Sequence, residues 1–82
     1  MDKKLVLEWI QNNNLKELHE YLKKQNVVDI AEFLKELDDS TLAIFFRVLE
    51  KEEAANVFSY LENDERNRLI KTFNNTEIVN MI

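Results

Sequence analysis

Apolar side chains return along this chain on a beat of twelve residues. Stepping by twelve from Ile10 gives Leu22, Leu34, Phe46, Phe58, Ile70 and Ile82, every one apolar. The same step from Trp9 gives Tyr21, Phe33, Phe45, Val57, Leu69 and Met81. A third column reads Val6, Leu18, Ile30, Leu42, Ala54, Arg66 and Ile78, broken only by Arg66. A fourth holds Leu37, Leu49, Leu61 and Phe73. A repeat this short stacks small, similar units that cannot bury an apolar face alone.

Within a unit the apolar residues fall at i, i+3, i+4 and i+7, as in Ile30, Phe33, Leu34 and Leu37. That spacing marks one face of an α-helix. Asn, Asp, Glu and Ser cluster where units join, at Asn12–Asn14, Gln25–Asn26, Asp38–Ser40, Glu50–Glu52, Glu62–Asp64 and Asn74–Asn75. Such residues satisfy the free N–H groups that open a helix. The pattern predicts seven helices over 3–12, 14–24, 27–37, 39–49, 51–61, 64–73 and 76–82. Turns this short make neighbours antiparallel. The expected fold is all-α, a right-handed α-solenoid of about seven short helices in one domain over residues 1–82. The 39–49 segment is apolar nearly all round and is expected at the centre. No polar capping repeat precedes the end at Ile82. The sequence is therefore expected to be an N-terminal piece of a longer protein, with Ile78, Val79, Met81 and Ile82 as an association face.

Composition narrows the chemistry. The 82 residues include no Gly, no Pro, no Cys and one His. A phosphate-cradling loop needs glycine, and a thiolate zinc site or nucleophile needs cysteine. The longest apolar run, Leu42 to Phe46, is far short of a bilayer span. Residues 1–24 hold five Lys and four acids, whereas residues 25–82 hold six Lys or Arg and twelve acids. The net charges of +1 and −6 sum to −5. An acidic surface repels a phosphate backbone, which disfavours nucleic acid and suits cations or a basic protein surface.

The stretch VVDIAEFLKEL, followed by TLAIFFRVLEKEEAANVFSYLENDERNRLIKTF, resembles the cytosolic N-terminal domain of MgtE-type magnesium transporters. The residues that carry the resemblance are Asp29–Ile30–Ala31 with Leu34 and Leu37, Arg47 before Leu49, Glu53–Ala54–Ala55 before Val57, and Glu65–Arg66. It covers residues 27–82, and the first two helices share only the periodicity. The resemblance implies a regulatory domain on the cytoplasmic side of the cell membrane. It further implies CBS modules and a transmembrane pore in the same chain, and a homodimeric full-length protein. In the family, Mg²⁺ bridges acidic surfaces of this domain and the CBS pair. The interfacial acids expected to serve the metal are Asp38, Asp39, Glu53, Asp64 and Glu65, with Asn56 where relatives often carry an acid. Mg²⁺ there would be weak and interfacial, and absent from the isolated domain. Arg66, Ile78 and Ile82 are the expected partner contacts.

Mg²⁺ takes oxygen ligands in octahedral geometry and keeps several waters, so two acidic surfaces can share it. Antiparallel helices would place Asp38, Asp39, Glu62, Asp64 and Glu65 on one edge and Glu50, Glu52, Glu53 and Glu77 on the other. The helix dipole alone also accounts for acids in a first turn. His19, without a Cys or second His, reads as a packing residue at the edge of an apolar stripe. Trp9 and Tyr21 read as core at the start of the stack. Arg66 reads as one half of an ion pair with an acid on an adjacent helix. The dispersed Lys3, Lys4, Lys16, Lys23 and Lys24 read as solvated surface and not as a membrane-binding patch. A structural scaffold of the flagellar motor switch type, also built from short helices, is the alternative function. An enzyme fares worst, because the sequence offers no nucleophile with its base and no open metal site.

Overall fold

The computed structural model describes residues 1–73. Those residues form six helices and no strand: α1 Lys3–Gln11, α2 Leu15–Lys23, α3 Val27–Leu34, α4 Asp39–Val48, α5 Lys51–Tyr60 and α6 Asn63–Thr72. The chain is a short helical superhelix, as the repeat requires. The seventh expected helix, over 76–82, lies outside the described residues.

Without glycine, three of the six described helices end in an extended residue. Leu49, Leu61 and Phe73 follow the last helical residues of α4, α5 and α6 with extended backbones, at ψ 142, 148 and 126. The next residues, Glu50 and Glu62, are extended too and open α5 and α6. Two consecutive extended residues swing the chain into its next helix using φ below zero throughout, a region open to any residue. Asn13 is the one non-helical exception among the described residues, with φ 59. There the Asn13 N–H donates to the Ile10 carbonyl and the Asn14 N–H to the Trp9 carbonyl. This is the Schellman arrangement, with asparagine in the left-handed position usually given to glycine.

This corrects one part of the sequence reading. Leu37, Leu49, Leu61 and Phe73 are not the last rung of a helical stripe. They lie beyond the helices, which end one to three residues earlier than the periodicity predicts. All four are nevertheless buried. In α4 and α5 the residue before the N-cap and the fourth helical residue, Leu37 with Leu42 and Leu49 with Ala54, are both buried. These are the positions of a hydrophobic staple, which fixes the angle at which a helix departs.

The core follows the twelve-residue columns closely. Every buried residue except Ala31 belongs to one of them. Among the described apolar column members, Trp9, Ile10, Tyr21 and Phe58 are half-buried and Ile70 is 47% exposed. All of these but Phe58 lie toward the two ends of the stack, where a side chain has a neighbour on one side only.

Helix α4 is the hub, packing against α1, α2 and α6, while α3 packs mainly on α5. It buries Leu42, Phe45 and Phe46 but leaves Ile44 exposed, so it is central without being enclosed. The first two helices fold back as a hairpin, with the Asp2 N–H donating to the Tyr21 hydroxyl at 3.0 Å. Pairing between α4 and α6 runs in one direction: Asp39 meets Arg68 at the start, and Phe46 meets Phe73 further along, with centroids 5.9 Å apart. Helices two apart run parallel when each turn reverses the chain.

Candidate docking edge and groove

Two surface features lie among the expected site residues. The first is an edge where α6 crosses the junction between α3 and α4. Asp38 caps α4, its Oδ1 accepting from the Thr41 N–H at 2.8 Å. That bond, aided by the positive Arg68 and Lys3, holds the Asp38 carboxyl below the usual carboxylate range. Asp39 follows in the first turn, where a negative charge suits the helix dipole. Together with Asp64, Asn67, Arg68, Lys71 and Thr72 it lines a shallow cavity of about 380 Å³.

The sequence places Asp38, Asp39, Glu62, Asp64 and Glu65 on one edge, and the structure brings Asp39, Asp64 and Glu65 to the same arginine or cavity, with Glu62 as the N-cap residue of α6. It also supplies what periodicity did not single out. Arg68 Nε donates to Asp39 Oδ1 at 2.9 Å, and Nη1 lies 3.7 Å from Glu65 Oε2. The same guanidinium donates to the Leu34 carbonyl at 3.4 Å and to the Leu37 carbonyl. Arg68 thus stitches α6 onto the C-terminal end of α3, where the carbonyls lack helical partners. It occupies no apolar column, so no sequence signal marks it.

The second feature is a groove of about 600 Å³ between the start of α3 and the second half of α5. It is lined by Asn26, Val27, Val28, Asp29, Asn56, Ser59 and Tyr60. Val28 and Tyr60 are 45% and 62% exposed. Asn26 is committed to capping α3, accepting from the Asp29 N–H at 2.8 Å. Asn56 therefore sits apart from the Asp39–Asp64 edge, beside one carboxylate, Asp29. Glu53 is half-buried, and its Oε1 accepts from the Glu50 N–H at 3.4 Å, which closes the first turn of α5.

Arg66 departs from expectation. Among the described residues it pairs with no acid and instead caps the preceding helix. Its Nε donates to the Phe58 carbonyl at 3.1 Å and its Nη2 to the Ser59 carbonyl at 2.9 Å. The guanidinium carbon stands 5.6 Å from the centre of the Phe58 ring. A cation at a helix C-terminus meets unpaired carbonyls and the negative end of the dipole, so an acid is not required. The arginine breaks its apolar column because that position reaches the end of α5. The other expected partner contacts, Ile78 and Ile82, lie outside the described residues, as does Glu77.

His19 also does more than pack. Its Nδ1 is 3.0 Å from the Val48 carbonyl and its Nε2 3.2 Å from Glu50 Oε1, which Lys23 Nζ approaches at 3.6 Å.

Among the described residues no three His, Cys, Asp or Glu side chains converge as a metal cage. The cavity edge carries Asp39 already bound to Arg68, with Lys71 alongside. Mg²⁺ is usually held by one or two carboxylates and keeps several waters, so at this edge the protein oxygens open to it are those of Asp64 and the Asp39 oxygen not bonded to Arg68. Among the described residues no helix is long and apolar enough to cross a membrane.

Comparison with curated proteins and with solved structures gives no match. The model of one protein family, described as the MgtE intracellular N domain, matches residues 25–82. The matched region takes in α3 to α6, with the cavity edge and the groove, and leaves the α1–α2 hairpin outside. This chain belongs to the MgtE intracellular N domain family, the regulatory cytosolic domains of magnesium transporters.

Proposed function

We propose that this domain regulates its transporter by docking, through its acidic face, against CBS modules of the same chain, with Mg²⁺ shared between the two surfaces. The observation that carries the reading is the family match over residues 25–82, the segment that also holds the net charge of −6. The domain acts without catalysis, as a body whose position reports the cation concentration. The pore and a homodimeric assembly belong to the same proposal.

Within this chain the edge residues divide the work. Arg68 fixes Asp39 and draws in Glu65, so these acids set the shape of the edge. Asp64 makes no ion pair among the described residues and, with the exposed Asp38, is the carboxylate best placed to offer oxygen to a shared ion. Asn56 offers a neutral carbonyl oxygen in the groove, and Glu53 serves α5 first. The partner surface must supply the remaining ligands. A docking equilibrium then responds to the ion because only the docked state binds it well.

Titrating the 82-residue chain with MgCl₂ while following backbone amide shifts tests this reading. Weak, millimolar-range changes centred on residues 38–39 and 64–65 are expected. Saturable micromolar binding, or changes confined to the α1–α2 hairpin, would contradict it.

A further inference from the structure

The ring of His19 lies between two oxygens that can only accept a proton. Its Nδ1 is 3.0 Å from the carbonyl of Val48, the last residue of α4. Its Nε2 is 3.2 Å from Oε1 of Glu50, the residue that opens α5. A carbonyl and an ionised carboxylate have no hydrogen to give. A neutral imidazole has one N–H and one lone pair, so it satisfies one of these oxygens and turns a lone pair toward the other. The imidazolium has two N–H groups and satisfies both. The carbonyl end of α4 favours the same charge through the helix dipole.

We propose that His19 is a protonation-dependent clasp that fastens the α1–α2 hairpin to the α4–α5 junction. It is closed when the imidazole is charged and loosened when the imidazole is neutral. The clasp joins the part of the chain outside the family match to the part inside it.

The charged groups around the ring set the sign of the effect. Glu50, at the α4–α5 junction, is the carboxylate in direct contact. Lys23, one turn along α2, shares that oxygen at 3.6 Å and partly offsets it. On α2 itself, Glu17 and Glu20 flank His19 in sequence, with Lys16 beyond. On α4, Arg47 adjoins Val48 and places its guanidinium 5.6 Å from the centre of the Phe73 ring. The first turn of α5 holds Lys51, Glu52 and Glu53, and Glu53 bonds the Glu50 N–H. On α1, packed against α2, Lys4 and Glu8 are exposed. Folding brings one carboxylate to the charged ring that the open chain does not hold there. The clasp therefore contributes fully while the ring is charged and weakens when the ring is neutral.

The test uses the full 82-residue chain. Thermal midpoints of the natural sequence and of His19→Gln are compared at about pH 5.5 and about pH 8. The natural sequence should gain about 2–4 °C more over the variant at the lower pH. In a Glu50→Gln background that extra gain should shrink by half or more. An advantage equal at both pH values, or larger at pH 8, would overturn the clasp. A second measurement needs no variant. Imidazole ¹⁵N spectra of the natural sequence should show Nδ1 and Nε2 both protonated in the closed, low-pH form. A low-pH form protonated on one nitrogen only would overturn the clasp as surely.

Discussion

The guanidinium of Arg68 meets the carboxylate of Asp39 at 2.9 Å while its other nitrogens reach the carbonyls that end α3. One side chain thus ties the sixth helix to the third and fourth. Two of its partners are backbone oxygens at and just beyond the end of α3, the Leu34 carbonyl, which also accepts from the Leu37 N–H, and the Leu37 carbonyl.

Replacing Arg68 with alanine should lower the unfolding free energy by about 1–3 kcal/mol, the range for charge-assisted bonds that leave partners unmet. Arg68→Lys should recover only part of the loss, since an ammonium lacks the planar fork that spans carboxylate and carbonyls together. Urea denaturation of the three chains decides the point. Full recovery with lysine would reduce Arg68 to a simple charge.

Two members of the apolar columns should respond in opposite ways. Phe45 is fully buried, and its ring centre stands 5.5 Å from that of Phe33. Phe45→Ala should cost about 3–5 kcal/mol. That is a large share of the ~5–15 kcal/mol that holds a domain folded, and loss of the cooperative transition is the expected result. Ile70 is 47% exposed, and Ile70→Ala should stay within about 0.5 kcal/mol of the natural chain. Thermal melts followed by circular dichroism measure both.

Asn13 holds a left-handed backbone with φ 59. Asn13→Gly should keep or raise the melting temperature, and Asn13→Ala should lower stability by about 1 kcal/mol, the cost of placing a Cβ in that region. If alanine proved neutral, the Schellman turn after α1 would not be holding the hairpin.

Asp38 gives a pH signature with a defined sign. Its carboxyl is held below the usual range chiefly by the Thr41 N–H. The ionised group therefore stabilises the fold above the ordinary carboxylate titration, and this contribution is lost as pH falls through the lowered folded-state value. Asp38→Asn keeps a good capping side chain without the charge. The natural chain should exceed the variant in melting temperature at pH 7, and the gap should close in acid. A gap constant from pH 7 to pH 2 would contradict the assignment.

Periodicity made the core legible because burial in a stack of helices depends on which face each residue occupies. The columns through Leu18, Leu34 and Phe45 could be drawn from spacing alone, and these residues are buried. Capping was partly legible: Asn26 and Asp38 bond the N–H groups that their positions suggested. The arginines and the histidine were not legible. Arg66, Arg68 and His19 act on carbonyls up to 34 residues away, and spacing along one helix carries no record of where another helix ends.

The sequence by itself determined an all-helical stack on a twelve-residue beat and an acidic surface over its later units, because hydrophobic spacing and charge are local properties of the chain. Only the tertiary structure decided how a chain without glycine makes three of its turns, two through paired extended residues and one through a left-handed asparagine. Only it decided which cations close on which helix ends, since those contacts arise once separate helices have docked and the unpaired carbonyls of one come within reach of another.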